Sequence, residues 1–181
     1  MQIIRSAWCL GMLLMIFTQG VLAVARGWAP PPVQDPQDTA FSVGYQAFEQ
    51  GDWQAVIDNM QQALEQRPWD DEAHNLMGYA YRQLGDYPRA LRHYDAALEL
   101  NPYNRGAMEY LGEALLELKC PHRATELLQR LAVECRRLGE NWQRNCGEWM
   151  DLRAAIDAYQ PSLQTDEDAH PLCERLTTDN Q

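Results

Sequence analysis

At 181 residues the chain is long enough for one domain of ordinary size and hardly two. Its 26 acidic and 15 basic residues leave a net charge of −11, which argues against a surface built to grip a phosphate backbone, so no nucleic-acid partner is expected. A hydrophobic content of 46% is too high for a chain disordered throughout.

Residues 1–25 have the order of a secretory signal peptide. One positive charge at Arg5 precedes an apolar stretch from Ala7 to about Phe17, and small residues follow as Val21-Leu22-Ala23 or Ala23-Val24-Ala25. The alternative is an uncleaved inner-membrane anchor, because about 18 mostly apolar residues just span a thin bilayer. Thr18, Gln19 and Gly20 interrupt that run, and Cys9 has no small-residue exit before it, against lipidation. Either reading exports the remainder, and the periplasm is its expected location. No later run is apolar and long enough to insert in a membrane after signal cleavage. Residues 26–36 follow, with prolines at 30, 31, 32 and 36, and read as a Pro-rich tether.

From residue 37 the chain repeats itself. Residues 37–70 and 71–104, offset by 34, share Gly44/Gly78, Tyr45/Tyr79, Gly51/Gly85, Asp52/Asp86, Ala63/Ala97, Leu64/Leu98, Glu65/Glu99 and Pro68/Pro102. A third unit opens at Arg105; it keeps Leu111-Gly112, Ala124 and Leu128 but replaces the Gly-Asp pair with Lys119-Cys120 and lacks the closing proline. Within unit two, Leu76, Met77, Ala80 and Tyr81, then Ala90, Leu91, Tyr94 and Leu98, recur at helical spacing. Gly51 and Gly85 allow a left-handed residue to end one helix, while Asp52 and Asp86 are placed to cap the next. The predicted helices run over 38–50, 53–66, 72–84, 87–100, 106–118 and 121–134. One hairpin cannot bury its apolar side alone, but stacked hairpins can, given a cap at the end. Residues 147–159 supply one, with Trp149, Leu152, Ala155, Ile156 and Tyr159 on one face. Pro161 ends it, and 161–181 reads as an acidic, flexible tail.

The second unit, with Met77-Gly78, Tyr81, Gly85-Asp86-Tyr87, Ala90, Tyr94, Ala97 and Pro102 in register, resembles the tetratricopeptide repeat family. Ala40 and His74 stand where that family often has Trp. The resemblance covers residues 37 to about 134. It implies an all-α, right-handed α-solenoid of three helical hairpins, here with a C-terminal capping helix, the domain spanning 37–160.

Of the five cysteines, Cys9 lies in the signal. Cys135 follows the sixth helix and Cys146 precedes the seventh, so a disulfide between them would fix the cap to the stack. Cys120 and Cys173 are a second possible pair, with free thiols or an intermolecular bond left open. No Cys-x2-Cys or His-x3-His spacing suggests zinc. No nucleophile elbow, zinc-protease motif or Gly-rich phosphate loop suggests an enzyme, and no cofactor is expected. His93 falls on the polar side of its helix and reads as a surface histidine.

The resemblance implies that the first helix of each hairpin lines a concave binding face. By register unit one offers Phe41 and Tyr45, unit two Asn75, Tyr79 and Arg82, and unit three Glu109, Glu113 and Glu117. Phe41, Tyr45 and Tyr79 are candidates to anchor an apolar segment, with Asn75 and Arg82 holding its backbone or a carboxylate. The three glutamates, four residues apart, repel one another unless a positive group relieves them. A protein or peptide with basic character therefore suits the face. Some family members clamp an acidic C-terminal tail with basic residues here; Phe41 and Tyr45 stand where the first Lys and Asn of such a clamp would be, which argues against that role. The expected function is a non-enzymatic adaptor binding in the groove. The alternative is a structural or assembly factor using the convex face, the tail, self-association or the cap, where Trp142 and Trp149 read as surface groups. Oligomeric state is left open.

Overall fold

The computed structural model describes residues 36–159 and 171–173. The signal peptide, nearly all of the tether and most of the tail read from the sequence lie outside the described residues.

Three helical hairpins follow one another. They are α1 (Pro36–Gln50) with α2 (Trp53–Gln66), α3 (Asp71–Gln83) with α4 (Tyr87–Leu100), and α5 (Arg105–Glu117) with α6 (Pro121–Cys135). A single 3-10 turn (Arg136–Leu138), a short α7 (Trp142–Asn145) and the capping α8 (Gly147–Ala158) complete the order. Each boundary agrees with its sequence-based expectation to within about two residues, the ordinary scatter of helix ends. Among the described residues no helix is long and apolar enough to cross a membrane.

The turns show why the periodicity takes this form. Gly51 and Gly85 sit at φ 73° and 77°, the left-handed region open to glycine. The carboxylates of Asp52 and Asp86 then accept from the backbone N–H of Ala55 at 3.2 Å and of Arg89 at 3.0 Å. In the third hairpin Lys119 occupies the same left-handed position at φ 62°, and Cys120 makes no side-chain cap. The backbone closes identically all the same, Cys120 N–H donating to Leu115 O at 2.7 Å as Asp86 N–H donates to Tyr81 O at 2.8 Å. The third turn therefore keeps the geometry and loses two local stabilisers.

Between hairpins, Asp70 and Asn104 cap α3 and α5, accepting from Ala73 N–H at 3.0 Å and Ala107 N–H at 2.8 Å. Asp71 ties the second hairpin's two ends together, accepting from Asn101 Nδ2 and Asn104 Nδ2, both at 2.8 Å. Packing runs along the seam: Val56, Met60, Ala63, Ala73, Ala80, Ala90, Tyr94, Ala97, Ala107, Met108, Ala114 and Ala124 are fully buried. Helix α8 lies on both α5 and α6, the place a fourth hairpin's first helix would take. Its Leu152 is fully buried, against Gly112.

Two cysteine pairs hold this end. Cys135 bonds Cys146 across 5.8 Å of Cα separation, and Cys120 bonds Cys173 across 6.1 Å. The tail, read from sequence as flexible, is thus fastened at 171–173, where Leu172 and Cys173 join the main core and Arg123 donates to Cys173 O at 3.5 Å. The cap region departs from expectation at Trp142, read as a surface group, while Trp149 keeps to the capping face its spacing gave it. Trp142 and Trp149 are half-buried, packed edge to face at 5.1 Å over the core beneath the cap, because α7 folds the connecting loop back onto α8.

Candidate functional site

The first helices α1, α3 and α5 and the cap α8 lie side by side, and α1, α3 and α5 carry the groove residues expected from the register. What the register leaves open is depth, and there the residues diverge. Tyr45 is 44% exposed, Phe41 is half-buried against the core, and Asn75 and Glu109 are only 2% and 8% exposed.

Aromatic rings cross the face from hairpin to hairpin. Tyr45 stacks on Phe48 at 6.1 Å, Phe48 meets Tyr79 at 5.0 Å, and Tyr79 meets Tyr110 at 4.7 Å, with Trp53 also on Tyr79 at 5.5 Å. Phe48, Tyr79 and Tyr110 are each 31 residues apart, three short of the repeat, so the row climbs the stack obliquely. Tyr110 and Trp53 were not among the sequence candidates; the 31-residue spacing is the signal that could have found Tyr110, whereas Trp53 lies off that spacing.

Arg82 is already engaged. Its Nη1 donates to Glu113 at 2.6 Å, and its Nη2 and Nε donate to Glu117 at 2.7 and 3.1 Å, a two-point grip between neighbouring hairpins. Burial works against the guanidinium's charge, but the bonds to Glu117 and Glu113 outweigh it and hold its pKa above the usual value. The guanidinium also lies 5.8 Å from the Tyr79 ring centre. The relief expected for the acidic row therefore comes, for two of its three members, from within the chain. Asn75 likewise faces inward, its Nδ2 3.4 Å from both Glu72 oxygens.

Glu109 is the exception. It has no hydrogen bond or ion pair among the described residues. Burial, and then the charges of Glu113, Asp151 and Glu148, push its pKa up to about 8. Burial and the same carboxylate raise neighbouring Tyr110 to about 12. One turn further along α5 an open pocket of ≈ 330 Å³ is lined by Arg82, Glu113, Leu116, Glu117, Ala155 and Tyr159.

On another side of the second hairpin, His93 is not the surface histidine its helix face suggested. Its Nδ1 lies 3.0 Å from Nδ1 of His74, and its ring stacks on Tyr81 at 5.4 Å. Burial, then the charges of His74, Arg92 and Arg89, lower its pKa to about 4. Among the described residues no three His, Cys, Asp or Glu side chains gather as a metal site.

Residues 71–104 match the tetratricopeptide repeat family. The architecture is a tetratricopeptide repeat fold. It is similar to the TPR2B domain of yeast Sti1, solved as a complex with pHsp70, at TM-score 0.60 and 18% identity, over 68% of this chain and 98% of that one. It is also similar to the TPR2AB domains of yeast Sti1, solved with pHSP90, at TM-score 0.60 and 20% identity, over 84% of this chain and 57% of that one. No curated protein matches the chain. In the tetratricopeptide repeat frame the hairpins correspond to repeats one to three, with α8 as the terminal cap.

Proposed function

We propose that the protein is an exported, non-enzymatic adaptor that holds a segment of another protein along the face of α1, α3, α5 and α8. The observation that carries this reading is the continuous aromatic row from Tyr45 to Tyr110, ending beside an acid-rimmed pocket. Aromatic side chains offer large apolar area at low entropic cost, so such a row favours an apolar segment without demanding one sequence. The acids at its far end favour a segment with basic character there. The two yeast Sti1 structures, each a complex, support a role in protein interaction. The leader-like residues 1–25 support export and a periplasmic setting.

Tyr45 is the side chain to test, because it is exposed and its loss leaves the hairpin seams intact. Mature protein with Tyr45→Ala should retain far less of its periplasmic partner than the parent chain while keeping full helicity by circular dichroism. Equal retention would remove the face from consideration.

A second reading rests on Trp69 and Tyr103, which occupy the same position of successive repeats and are 67% and 57% exposed. They form a separate aromatic edge at the inter-hairpin turns, suited to an assembly contact away from the groove. Trp69→Ala, rather than Tyr45→Ala, would then abolish partner retention.

A further inference from the structure

Two arginines stand near the acidic end of the face, and both are occupied. Arg82 grips Glu113 and Glu117, and Arg105 pairs with Glu148 at 3.4 Å. Five carboxylates, of Glu109, Glu113, Glu117, Glu148 and Asp151, thus share two guanidiniums. The shortfall falls on Glu109, the most deeply buried of them, which has no partner of its own. Of the elements packed there, α5 and α8 add to the deficit and only α3 eases it. Helix α8 brings Asp151 and Glu148, α5 itself brings Glu113, and α3 brings only an Arg82 already taken. A buried carboxylate without a donor costs several kcal/mol if it ionises, so it stays protonated or finds a cation.

We propose that the cleft between α5 and α8 seats one basic side chain of the bound segment, its guanidinium or ammonium group against Glu109. The inference rests on the adaptor reading and adds to it the chemistry of one partner residue. The pocket one turn along α5 is the assigned entrance, Glu109 itself not being among its lining residues. Leu116, Ala155 and Tyr159 offer apolar surface for the aliphatic stem of an arginine or lysine. From there one helical turn, about 5 Å, carries the charged head to Glu109. Asp151, exposed on α8, completes the cage from the solvent side. The incoming cation replaces the proton that Glu109 otherwise holds near neutral pH, so seating it releases a proton. Affinity accordingly rises with pH until Glu109 is ionised without help.

The test uses mature protein carrying carbon-13 in its glutamates, with the Glu109 carboxyl signal identified by its loss in Glu109→Gln. N-acetyl-arginine methylamide is the probe and its neutral isostere, N-acetyl-citrulline methylamide, the control. The arginine probe should lower the ionisation midpoint of Glu109 by a pH unit or more, and citrulline should leave it in place. A midpoint that neither probe moves, or that both move equally, overturns the cation seat. The adaptor reading fails separately, on unchanged partner retention by Tyr45→Ala. A chain whose Tyr45 matters but whose Glu109 ignores arginine keeps the groove and loses the seat.

Discussion

Gly44, Gly78 and Gly112 hold the same position in the three hairpins, and replacing each with alanine separates three kinds of neighbour. An added Cβ at Gly78 falls 2.7 Å from two Tyr94 ring atoms and 3.1 Å from a third, and that ring is fully buried. At Gly112 it meets Leu152 Cδ1 at 2.6 Å, Cδ2 at 2.7 Å and Cγ at 3.2 Å, so no rotation of the leucine tip clears it. At Gly44 the tightest contact is the Met60 methyl at 2.8 Å, the free end of a three-torsion side chain, with Asn59 Cβ next at 3.1 Å. All three variants gain about 1 kcal/mol in helix propensity. Against this, overpacking a rigid core costs about 1–3 kcal/mol. The expected net losses are about 2 kcal/mol for Gly78→Ala, about 1 for Gly112→Ala and near zero for Gly44→Ala. Urea unfolding of the oxidised mature chain, read by circular dichroism, ranks them directly. A Gly44→Ala loss as large as that of Gly78→Ala would refute the reasoning, since the order depends only on how far each neighbour can yield.

Glu109→Gln should change stability with a distinctive pH dependence. The folded pKa lies above the unfolded one, so the folded state binds the extra proton and the parent chain loses stability as pH rises from about 4.5 to about 8. With solvent screening of a partly open site, the glutamine variant should be more stable by about 2 kcal/mol at about pH 9 and equal at about pH 4; a pH-independent difference in denaturant midpoint contradicts this. Opening the disulfides by paired Cys→Ser substitution should cost about 3 kcal/mol for Cys135–Cys146 and about 4 for Cys120–Cys173, following their separations of 11 and 53 residues. The reverse order in guanidinium unfolding would show that loop length does not govern them. Asn104→Ala removes the α5 cap and a bond to Asp71 together, an expected loss of about 2 kcal/mol by thermal unfolding. A change within a few tenths would mean that water replaces both.

The hairpins were legible because their determinants are local. A left-handed glycine, an aspartate cap and an apolar stripe each act within one turn of chain, and the 34-residue offset repeats all three. Even Lys119 in the glycine position leaves the third turn in register, since the five preceding helices and the cap over-determine it. The candidate face was legible only as a set of positions. Arg82 reaches Glu113 and Glu117 across 31 and 35 residues, and Phe48, Tyr79 and Tyr110 meet at an interval that is not the repeat. Such contacts depend on how far each hairpin rotates on the one before, which no single repeat encodes. Burial of Glu109 and pairing of His74 with His93 have the same origin. The return of Cys173 was open for another reason: the sequence around it is polar, and only the position of Cys120 at the start of α6 gives it somewhere to land.

That return changes how the stack comes apart. In a linear array each hairpin touches only its neighbours, so thermal opening starts at whichever end is cheaper to lose and travels inward. The bond from Cys120 to Cys173 closes a covalent ring that contains α6, α7 and α8, with the Cys135–Cys146 bond inside it. The cap cannot then peel away as a free end, because both of its flanks are tied to the hairpin beneath. Fraying is left to α1 and α2, whose outer side no further element covers among the described residues. An array with two potential melting ends has become one that unzips in a single direction, towards the acidic end of its face and away from the aromatic one.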